Sequence, residues 1–132
     1  MREIERFRTR YELSGTETFL AVELEALGTD YSANGYTTQE QADEIGDWLD
    51  LRHDNILLDV GAGCGWPGLY LAKRHGCTVI SLEPVSESMP TLTQRASADI
   101  GTKRVLPIIG DAGAIPLTSA SVDAVVHADV LC

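Results

Sequence analysis

The sequence predicts an α/β protein in which a doubly wound, mostly parallel sheet follows an α-helical N-terminal segment. The second half of the chain alternates short β-branched runs with helical stretches, and those runs are apolar throughout. The first half has helical periodicity instead. Apolar strands that alternate with helices are typical of a parallel sheet that is covered on both faces. We therefore divide the chain into a helical segment, residues 1–54, and a sheet domain, residues 55–132.

Three helices are predicted in the N-terminal segment. Ile4, Phe7 and Tyr11 fall on one face of the first helix, and Gly28 is suited to end the second. The third helix begins within residues 37–41, where two overlapping capping boxes leave its start at either threonine.

Four short apolar runs predict the strands of the sheet. They are NILLDV, CTVISL, VLPII and VDAVVHA, and the last of them ends near His127. The stretches GLYLAKRH and VSESMPTLTQRASADI predict helices between the first three strands. The fourth run is apolar and has neither the charges nor the bulges that normally protect an edge strand.

A glycine-rich segment, GAGCGWPG, follows the first predicted strand. Glycines at such a point let the backbone approach a ligand that a Cβ atom would exclude. The dinucleotide pattern G-x-G-x-x-G fits this segment poorly. Counted from Gly61 its last position is Trp66, and counted from Gly63 it begins too far from the strand. Because the pattern is still partly met, an NAD(P)-dependent oxidoreductase stays as an alternative interpretation.

The pattern D-x-G-x-G-x-G fits better, with Asp59, Gly61, Gly63 and Gly65 in the segment LLDVGAGCG. Through this motif the chain resembles the class I S-adenosylmethionine-dependent methyltransferases of the small-molecule type. ISLEPV, IIGDA and VDAVVHADVL resemble the ends of the second, third and fourth strands of that family, in the same order. The resemblance covers residues 55–132 and implies a Rossmann-like sheet that binds S-adenosylmethionine.

The resemblance implies roles for side chains at the strand ends. Glu83 would accept hydrogen bonds from the ribose hydroxyls, and Asp111 with the Ala112 N–H would contact the adenine. His127 and Asp129 would lie beside the methionine moiety and the substrate, with His127 as candidate catalytic base or as a polar lining residue. The full set of predicted cofactor-binding residues is Asp59, Gly61, Ala62, Gly63, Gly65, Glu83, Asp111, Ala112, His127, Tyr31 and Tyr36.

Several of these residues have a simpler alternative role. Asp59 would hold the glycine loop through backbone N–H groups, reach the ligand ammonium through water, or stabilise a turn. Glu83 would be a solvated carboxylate at a strand end, and Asp111 an Asx-turn residue.

Members of this family often fold the segment before the first strand over the cofactor, and DYSANGYTTQEQADEI resembles such a lid. Its Tyr31 and Tyr36 are candidate walls, because an aromatic face stabilises a nearby sulfonium by about 0.5–2 kcal/mol. The alternative is that both tyrosines pack the helices onto the sheet.

The chain is acidic. Its 132 residues include 20 acidic and 10 basic side chains, a formal net charge of −10. This charge repels nucleic acids and anionic membranes, so we expect neither as a partner. No apolar run approaches the roughly 18 residues that span a bilayer. The first ten residues lack a secretory signal, and three scattered cysteines predict neither disulfides nor a metal site. We expect a cytoplasmic protein with reduced thiols.

These features together predict an S-adenosylmethionine-dependent methyltransferase that acts on a small-molecule acceptor, with N-, O- and C-methylation left open. Besides the oxidoreductase, a non-catalytic cofactor-binding or interaction module is an alternative. Methyltransferases of this class continue through further strands, so we expect a chain truncated after the fourth strand. The strand order that the resemblance implies, 3-2-1-4-5 in the complete family sheet, would leave the fourth strand at an open edge. We also expect a homodimer that forms through the exposed fourth strand or through the N-terminal helices.

Overall fold

The structure of the protein is a computed structural model that describes residues 2–130, with side chains described from residue 4 onward. The N-terminal segment forms three helices: α1 (Arg2–Ser14), α2 (Glu17–Leu27) and α3 (Gln39–Trp48). The sheet domain then forms β1 (Ile56–Val60), α4 (Gly68–His75), β2 (Thr78–Glu83), α5 (Met89–Asp99), β3 (Val105–Ile109) and β4 (Ala124–Val126). The predicted α/β fold is confirmed.

The strands form one parallel sheet in the order β3-β2-β1-β4. Leu57 on β1 is paired with Val79 on β2, which is paired with Val105 on β3. Parallel pairing brings the carboxyl ends of all the strands to the same edge of the sheet. The strand order reverses between β1 and β4, and ligands of open α/β sheets bind in the crevice at such a reversal.

One face of the sheet carries the larger part of the core. Leu57 and Val79 are fully buried there against Leu69 of α4 and Leu92 of α5. Each fully buried leucine stabilises the fold by about 1.5–3 kcal/mol. This packing fixes the positions of α4 and α5 and with them the loops that enter those helices.

The other face is covered differently. Leu58, Ile80 and Leu82 pack against Leu117 and Val122 of the segment that connects β3 to β4. In residues 110–123 the structure contains one short 3₁₀ turn and no α-helix. Helices therefore cover only one face within the described range, where the sequence pattern predicts cover on both. The glycines, proline and hydroxyl side chains of GDAGAIPLTSASVD explain this, because they favour turns over a helix.

The structure defines the starts of helices α3 and α5. The Thr38 hydroxyl accepts a hydrogen bond from the Gln41 N–H (3.1 Å), and the Gln41 side chain accepts one from the Thr38 N–H (3.0 Å). This pair is the capping box of α3. α5 begins at Met89 after a 3₁₀ turn at Ser86–Ser88, four residues later than the sequence predicts. Pro90 is tolerated because it lies in the first turn of the helix.

Across residues 2–130, none of the helices has the length and apolar character that crossing a membrane requires.

Candidate functional site

A cavity of about 420 Å³ opens at the carboxyl ends of the strands. The sheet domain contributes the segments that follow each strand, and the N-terminal segment contributes α1 and the residues around Asn34. The main lining segments are 33–35, 60–64, 82–85, 110–112 and 128–130. The cavity therefore lies where the strand order reverses, as expected for the ligand site of an open α/β sheet.

The glycine loop after β1 forms the floor of the cavity. The N–H groups of Gly61 and Ala62 both donate to the Leu82 carbonyl oxygen, at 2.8 and 3.1 Å. Gly65 has a φ of +110°, and a Cβ atom there would lie 2.7 Å from Cγ of Leu69. Gly65 is therefore required for the close approach of the loop to α4. The lining of the cavity includes Gly61, Ala62 and Gly63, whereas Gly65 lies outside it.

Glu83, the last residue of β2, connects the strand end to the glycine loop. Its Oε2 accepts a hydrogen bond from the Gly63 N–H (2.8 Å), and its Oε1 accepts one from the Val85 N–H (3.0 Å). The residue is only 4% exposed and lines the cavity. Burial raises the pKa of Glu83, while the two backbone donors lower it. The alternative of a solvated carboxylate is therefore wrong.

Asp59 lies beneath the loop and does not line the cavity. Its Oδ2 accepts a hydrogen bond from the N–H of Gly68 (3.0 Å), the first residue of α4. Its Oδ1 has no hydrogen-bond partner among the described residues. Burial, and to a lesser extent the nearby charge of Glu83, raises the pKa of Asp59 from 3.8 to about 7. Asp59 thus holds the backbone at the start of α4. This is the backbone-bonding role that the sequence analysis gave as one of its alternatives.

Asp111 and Ala112 follow β3, and both line the cavity. Asp111 Oδ1 accepts a hydrogen bond from the Gly113 N–H (2.6 Å). The side chain thus makes the Asx-type turn that the sequence offered as an alternative, while the residue itself still borders the cavity.

Tyr31 does not form a wall of the cavity. It is 7% exposed, its hydroxyl donates to Asp99 (3.2 Å), and its ring centroid lies 5.2 Å from that of Trp66. The Arg95 guanidinium lies 4.2 Å from the centroid of the Tyr31 ring. Tyr31 therefore packs the N-terminal segment onto α5, as the packing alternative predicts. Tyr36 is 77% exposed and is also absent from the cavity lining.

The backbone next to these tyrosines does reach the cavity. Asn34 and Gly35 line it, and a Cβ atom on Gly35 would lie 2.6 Å from Cβ of Asp129. Asp129 Oδ2 accepts hydrogen bonds from the Thr37 hydroxyl (2.8 Å) and the Thr37 N–H (3.2 Å). The N-terminal segment is thereby tied to the end of β4.

His127, the predicted catalytic base, is exposed beyond the end of β4 and does not line the cavity. β4 ends at Val126, so the alternation of side chains along a strand no longer holds at His127. Ala128, Asp129 and Val130 line the cavity instead. Among them, Asp129 is the residue with a side chain that can accept a proton.

Sequence reasoning missed the contribution of α1. Ile4, Phe7 and Tyr11 line the cavity, and a Cβ atom on Gly63 would lie 3.2 Å from the Tyr11 hydroxyl oxygen. The signal was present, because these three residues share one helical face. Sequence spacing alone, however, does not say against which surface that face packs.

The cavity has a negative lining. Glu83, Asp111 and Asp129 border it, whereas none of the described residues that border it is a lysine, arginine or histidine. Such a lining favours a ligand that carries positive charge or several hydrogen-bond donors.

A parallel sheet with a glycine loop after its first strand and a carboxylate at the end of its second defines a class of Rossmann-like domain that binds nucleoside-containing ligands. A family profile described as a methyltransferase domain matches residues 57–132 of the chain, which is more than half of it. The chain belongs to this methyltransferase domain family.

Known relatives agree with this assignment. A malonyl-[acyl-carrier protein] O-methyltransferase of Gallionella capsiferriformans (strain ES-2) is 38% identical over 73 residues, which are 52% of this chain and 25% of the relative. The crystal structure of an S-adenosylmethionine-dependent methyltransferase from Thiobacillus denitrificans, in complex with S-adenosyl-L-homocysteine, matches with a TM-score of 0.60 at 26% identity. The match covers 68% of this chain and 36% of that one.

The fold also serves another reaction. The [4+2]-cyclase SpnF matches with a TM-score of 0.57 at 24% identity, over 76% of this chain and 37% of the cyclase. The chain thus spans about a quarter to a third of the length of these relatives. The likeness to SpnF concerns the fold alone, so methyl transfer has to be argued from the site.

The buried carboxyl of Asp59 predicts a pH dependence of stability. Its folded-state pKa of about 7 lies above the ordinary value of 3.8, so the folded chain binds an extra proton between these values. The free energy of unfolding therefore decreases as the pH rises from about 4 to 7, by up to about 1.4 kcal/mol per pH unit. Urea unfolding at pH 5 and pH 8 should give a smaller decrease for Asp59→Asn than for the unsubstituted chain.

Asp47→Asn, which removes an equal charge from an exposed position of α3, is the matched control. For this control, the free energy of unfolding should depend on pH as it does in the unsubstituted chain. A profile for Asp59→Asn that coincides with that of Asp47→Asn would contradict this account of the Asp59 pKa.

Proposed function

We propose that the chain is the cofactor-binding part of an S-adenosylmethionine-dependent methyltransferase that acts on a small-molecule acceptor. The observation that carries this proposal is the Glu83 carboxylate, held against the Gly63 N–H at a cavity in a chain of the methyltransferase family. When bound, S-adenosylmethionine supplies an electrophilic methyl group on a positively charged sulfonium. The Thiobacillus denitrificans relative, crystallised with S-adenosyl-L-homocysteine, supports this choice of ligand.

The residues that border the cavity fit such a ligand. We assign Glu83 to the ribose hydroxyls, because a carboxylate can accept from both members of a diol. Asp111 and the Ala112 N–H are assigned to the adenine, and the backbone of Gly61–Gly63 to the part of the ligand above the loop. The volume of about 420 Å³ falls within the range of ligand pockets. The acidic lining also suits a ligand that carries a sulfonium and an ammonium group.

For the acceptor, we propose an oxygen nucleophile on a small carboxylic acid. Asn34 Nδ2 is buried without a hydrogen-bond partner among the described residues, and Asn34 lines the cavity. A free amide donor can hold one oxygen of the substrate carboxylate by a hydrogen bond. The second oxygen of the carboxylate would then be left to attack the methyl group. The relative from Gallionella capsiferriformans is by its name an O-methyltransferase of a malonyl group. A nucleic-acid or membrane-surface acceptor is disfavoured by the net charge of −10.

A methyl-transfer assay tests the acceptor class. With labelled S-adenosylmethionine, we expect a methyl ester to form from a malonyl thioester, and little product from an alkylamine or a phenol. Asn34→Ala should decrease kcat/KM for the carboxylate by about tenfold, the effect of one lost hydrogen bond. Methylation of the amine alone would contradict the proposed acceptor. Binding of the cofactor without turnover on any acceptor would favour a non-catalytic module.

Binding of the cofactor is tested separately from turnover. Isothermal titration calorimetry should detect heat of binding with S-adenosyl-L-homocysteine and none with NAD. Glu83→Gln should weaken binding of S-adenosyl-L-homocysteine by at least about tenfold, because hydrogen bonds to charged groups contribute about 1.5–3 kcal/mol. Glu40→Gln on the exposed surface of α3 is the matched control and should bind like the unsubstituted chain.

Two results would contradict this proposal. Binding of NAD without S-adenosyl-L-homocysteine would favour the oxidoreductase interpretation. If a folded Glu83→Gln protein binds S-adenosyl-L-homocysteine with unchanged affinity, Glu83 does not bind the ligand.

We also propose that two copies of the chain associate through β4. This strand pairs with β1 on one side, and no described strand pairs with its other side. Val125 in its centre is 48% exposed, and an unpaired apolar edge is a template for a second chain.

Light scattering on a size-exclusion column tests this association. At micromolar concentration we expect a dimer that Val125→Lys converts to a monomer. Val22→Lys places the same charge on the exposed surface of α2 and should leave the dimer intact. If only Val22→Lys dissociates the dimer, the interface is formed by the N-terminal helices. If the unsubstituted chain is a monomer, neither β4 nor the N-terminal helices form a dimer interface.

A further inference from the structure

Helix α2 has an unusual distribution of polar and apolar side chains. Glu23, a carboxylate, is buried at 4% exposure, whereas Phe19, Val22 and Leu24 are exposed. A packed helix ordinarily buries its apolar side chains and exposes its charged ones. A buried carboxylate destabilises a fold unless hydrogen bonds compensate for its lost hydration. Exceptions of this kind are typical of functional sites, so the contacts of Glu23 point to a role beyond stability.

The Glu23 carboxylate holds the loop that connects α2 to α3. Its Oε1 accepts a hydrogen bond from the Ala33 N–H (3.1 Å). Its Oε2 is buried and has no hydrogen-bond partner among the described residues. The contact with Ala33 thus uses one oxygen, which an amide side chain of the same length also offers.

The residue before Ala33 has a strained backbone. Ser32 has a φ of +56°, in the left-handed region that residues other than glycine rarely adopt, and it is buried. A strained conformation persists only where the surrounding contacts impose it. The hydrogen bond from Ala33 to Glu23 fixes the peptide group that joins Ser32 to Ala33. Glu23 therefore helps to set the direction in which the chain continues into Asn34.

Asn34 is the next residue along the chain, and it lines the cavity. Its Nδ2 is buried and has no hydrogen-bond partner among the described residues. Gly35 packs closely against the segment after β4, since a Cβ atom on it would lie 2.6 Å from Cβ of Asp129. The backbone of Asn34 is thus held on one side by Glu23 and on the other by Asp129. Such support is what keeps a ligand-binding side chain in a productive geometry.

We propose that Glu23 is a positioning residue, which orients the Asn34 amide toward the acceptor through its hydrogen bond with the Ala33 N–H. Glu23 does not line the cavity, so it touches neither the acceptor nor the cofactor. This proposal rests on the proposed function, because it takes Asn34 as the donor that holds one oxygen of the substrate carboxylate. The buried carboxylate of α2 then serves the recognition of the acceptor.

Comparing the KM for the acceptor with the affinity for the cofactor tests this role. Glu23→Ala should raise the KM for a malonyl thioester by about three- to tenfold, the effect of one hydrogen bond, and leave the affinity for S-adenosyl-L-homocysteine unchanged. Glu23→Asp, which is one methylene group shorter, should act in the same direction. Glu23→Gln keeps an oxygen for the Ala33 N–H and should restore the KM of the unsubstituted chain. Glu25→Ala, on the exposed surface of α2, is the matched control and should leave both quantities unchanged.

Combination with Asn34→Ala separates positioning from a general role in folding. If Glu23 acts through Asn34, Glu23→Ala should cause no further decrease in kcat/KM once the Asn34 amide is absent. If Glu23 only stabilises the fold, its effect should add to that of Asn34→Ala and should also appear in the affinity for S-adenosyl-L-homocysteine. Additive effects of the two substitutions would therefore overturn the proposal.

The side-chain amide resonances of Asn34 give a measurement that does not depend on turnover. With S-adenosyl-L-homocysteine bound, which has no methyl group to transfer, the malonyl thioester should shift these resonances in the unsubstituted chain. In Glu23→Ala, half of the shift should require about three- to tenfold more thioester. Equal titration curves for the two proteins would overturn the proposal. If Glu23→Ala does not fold, the same titration of Glu23→Asp against Glu23→Gln decides: weaker binding by Glu23→Asp alone supports the proposal, and equal binding overturns it.

The failure of this inference differs from the failure of the proposed function. If the unsubstituted chain methylates the malonyl thioester and Asn34→Ala impairs the reaction, an unchanged KM of a folded Glu23→Ala protein overturns only the positioning role. If the chain binds S-adenosyl-L-homocysteine but the thioester leaves the Asn34 resonances unshifted, the proposed acceptor and the positioning role are both overturned, while the proposed cofactor stands. If the chain binds neither ligand, the proposed function is overturned and the positioning role with it.

Discussion

The structure around the cavity depends on the hydrogen bond between the Glu83 carboxylate and the Gly63 N–H. This bond joins the end of β2 to the loop after β1, and the Val85 N–H on the other oxygen fixes the turn that follows. In our proposal the same carboxylate accepts from the ribose diol, so one group would both order the loop and recognise the ligand.

Two more buried carboxylates hold backbone segments in a similar way. Asp59 accepts from the Gly68 N–H at the start of α4, and Glu23 of α2 accepts from the Ala33 N–H (3.1 Å) beside the cavity. Burial raises the pKa of all three carboxyls. A buried charge is costly, and charge-assisted hydrogen bonds from backbone N–H groups offset that cost. Part of the acidity of the chain thus serves to order the loops of the site.

The fold and the strand-end residues could be predicted from the sequence because their signals are local. Apolar runs, the glycine loop and Gly28 at the end of α2 are each read within a few residues, and the strand order follows from the resemblance. The roles of Tyr11 and Tyr31 depend on which surface each helix meets. Both are aromatic residues of the N-terminal segment, yet one lines the cavity and the other packs against Arg95 and Trp66. No local pattern separates these two outcomes.

The placement of His127 gives a similar lesson. The sequence puts it at the end of β4, where ligands bind, but the strand ends at Val126, and the directions of the next side chains depend on the turn that follows. Asp129, two residues further on, borders the cavity and is bonded to Thr37 in the N-terminal segment. The side chains that border the cavity after β4 therefore could not be identified from the sequence, whereas the position of Glu83 at the end of β2 could.

The most direct measurement of the central claim is a crystal structure of the chain with S-adenosyl-L-homocysteine. Our account predicts that both ribose hydroxyls donate to the Glu83 carboxylate, with oxygen–oxygen distances of about 2.5–3.0 Å, and that the adenine lies beside Asp111. A ligand bound outside this cavity, or bound inside it with Glu83 still bonded only to the Gly63 and Val85 N–H groups, would contradict the account.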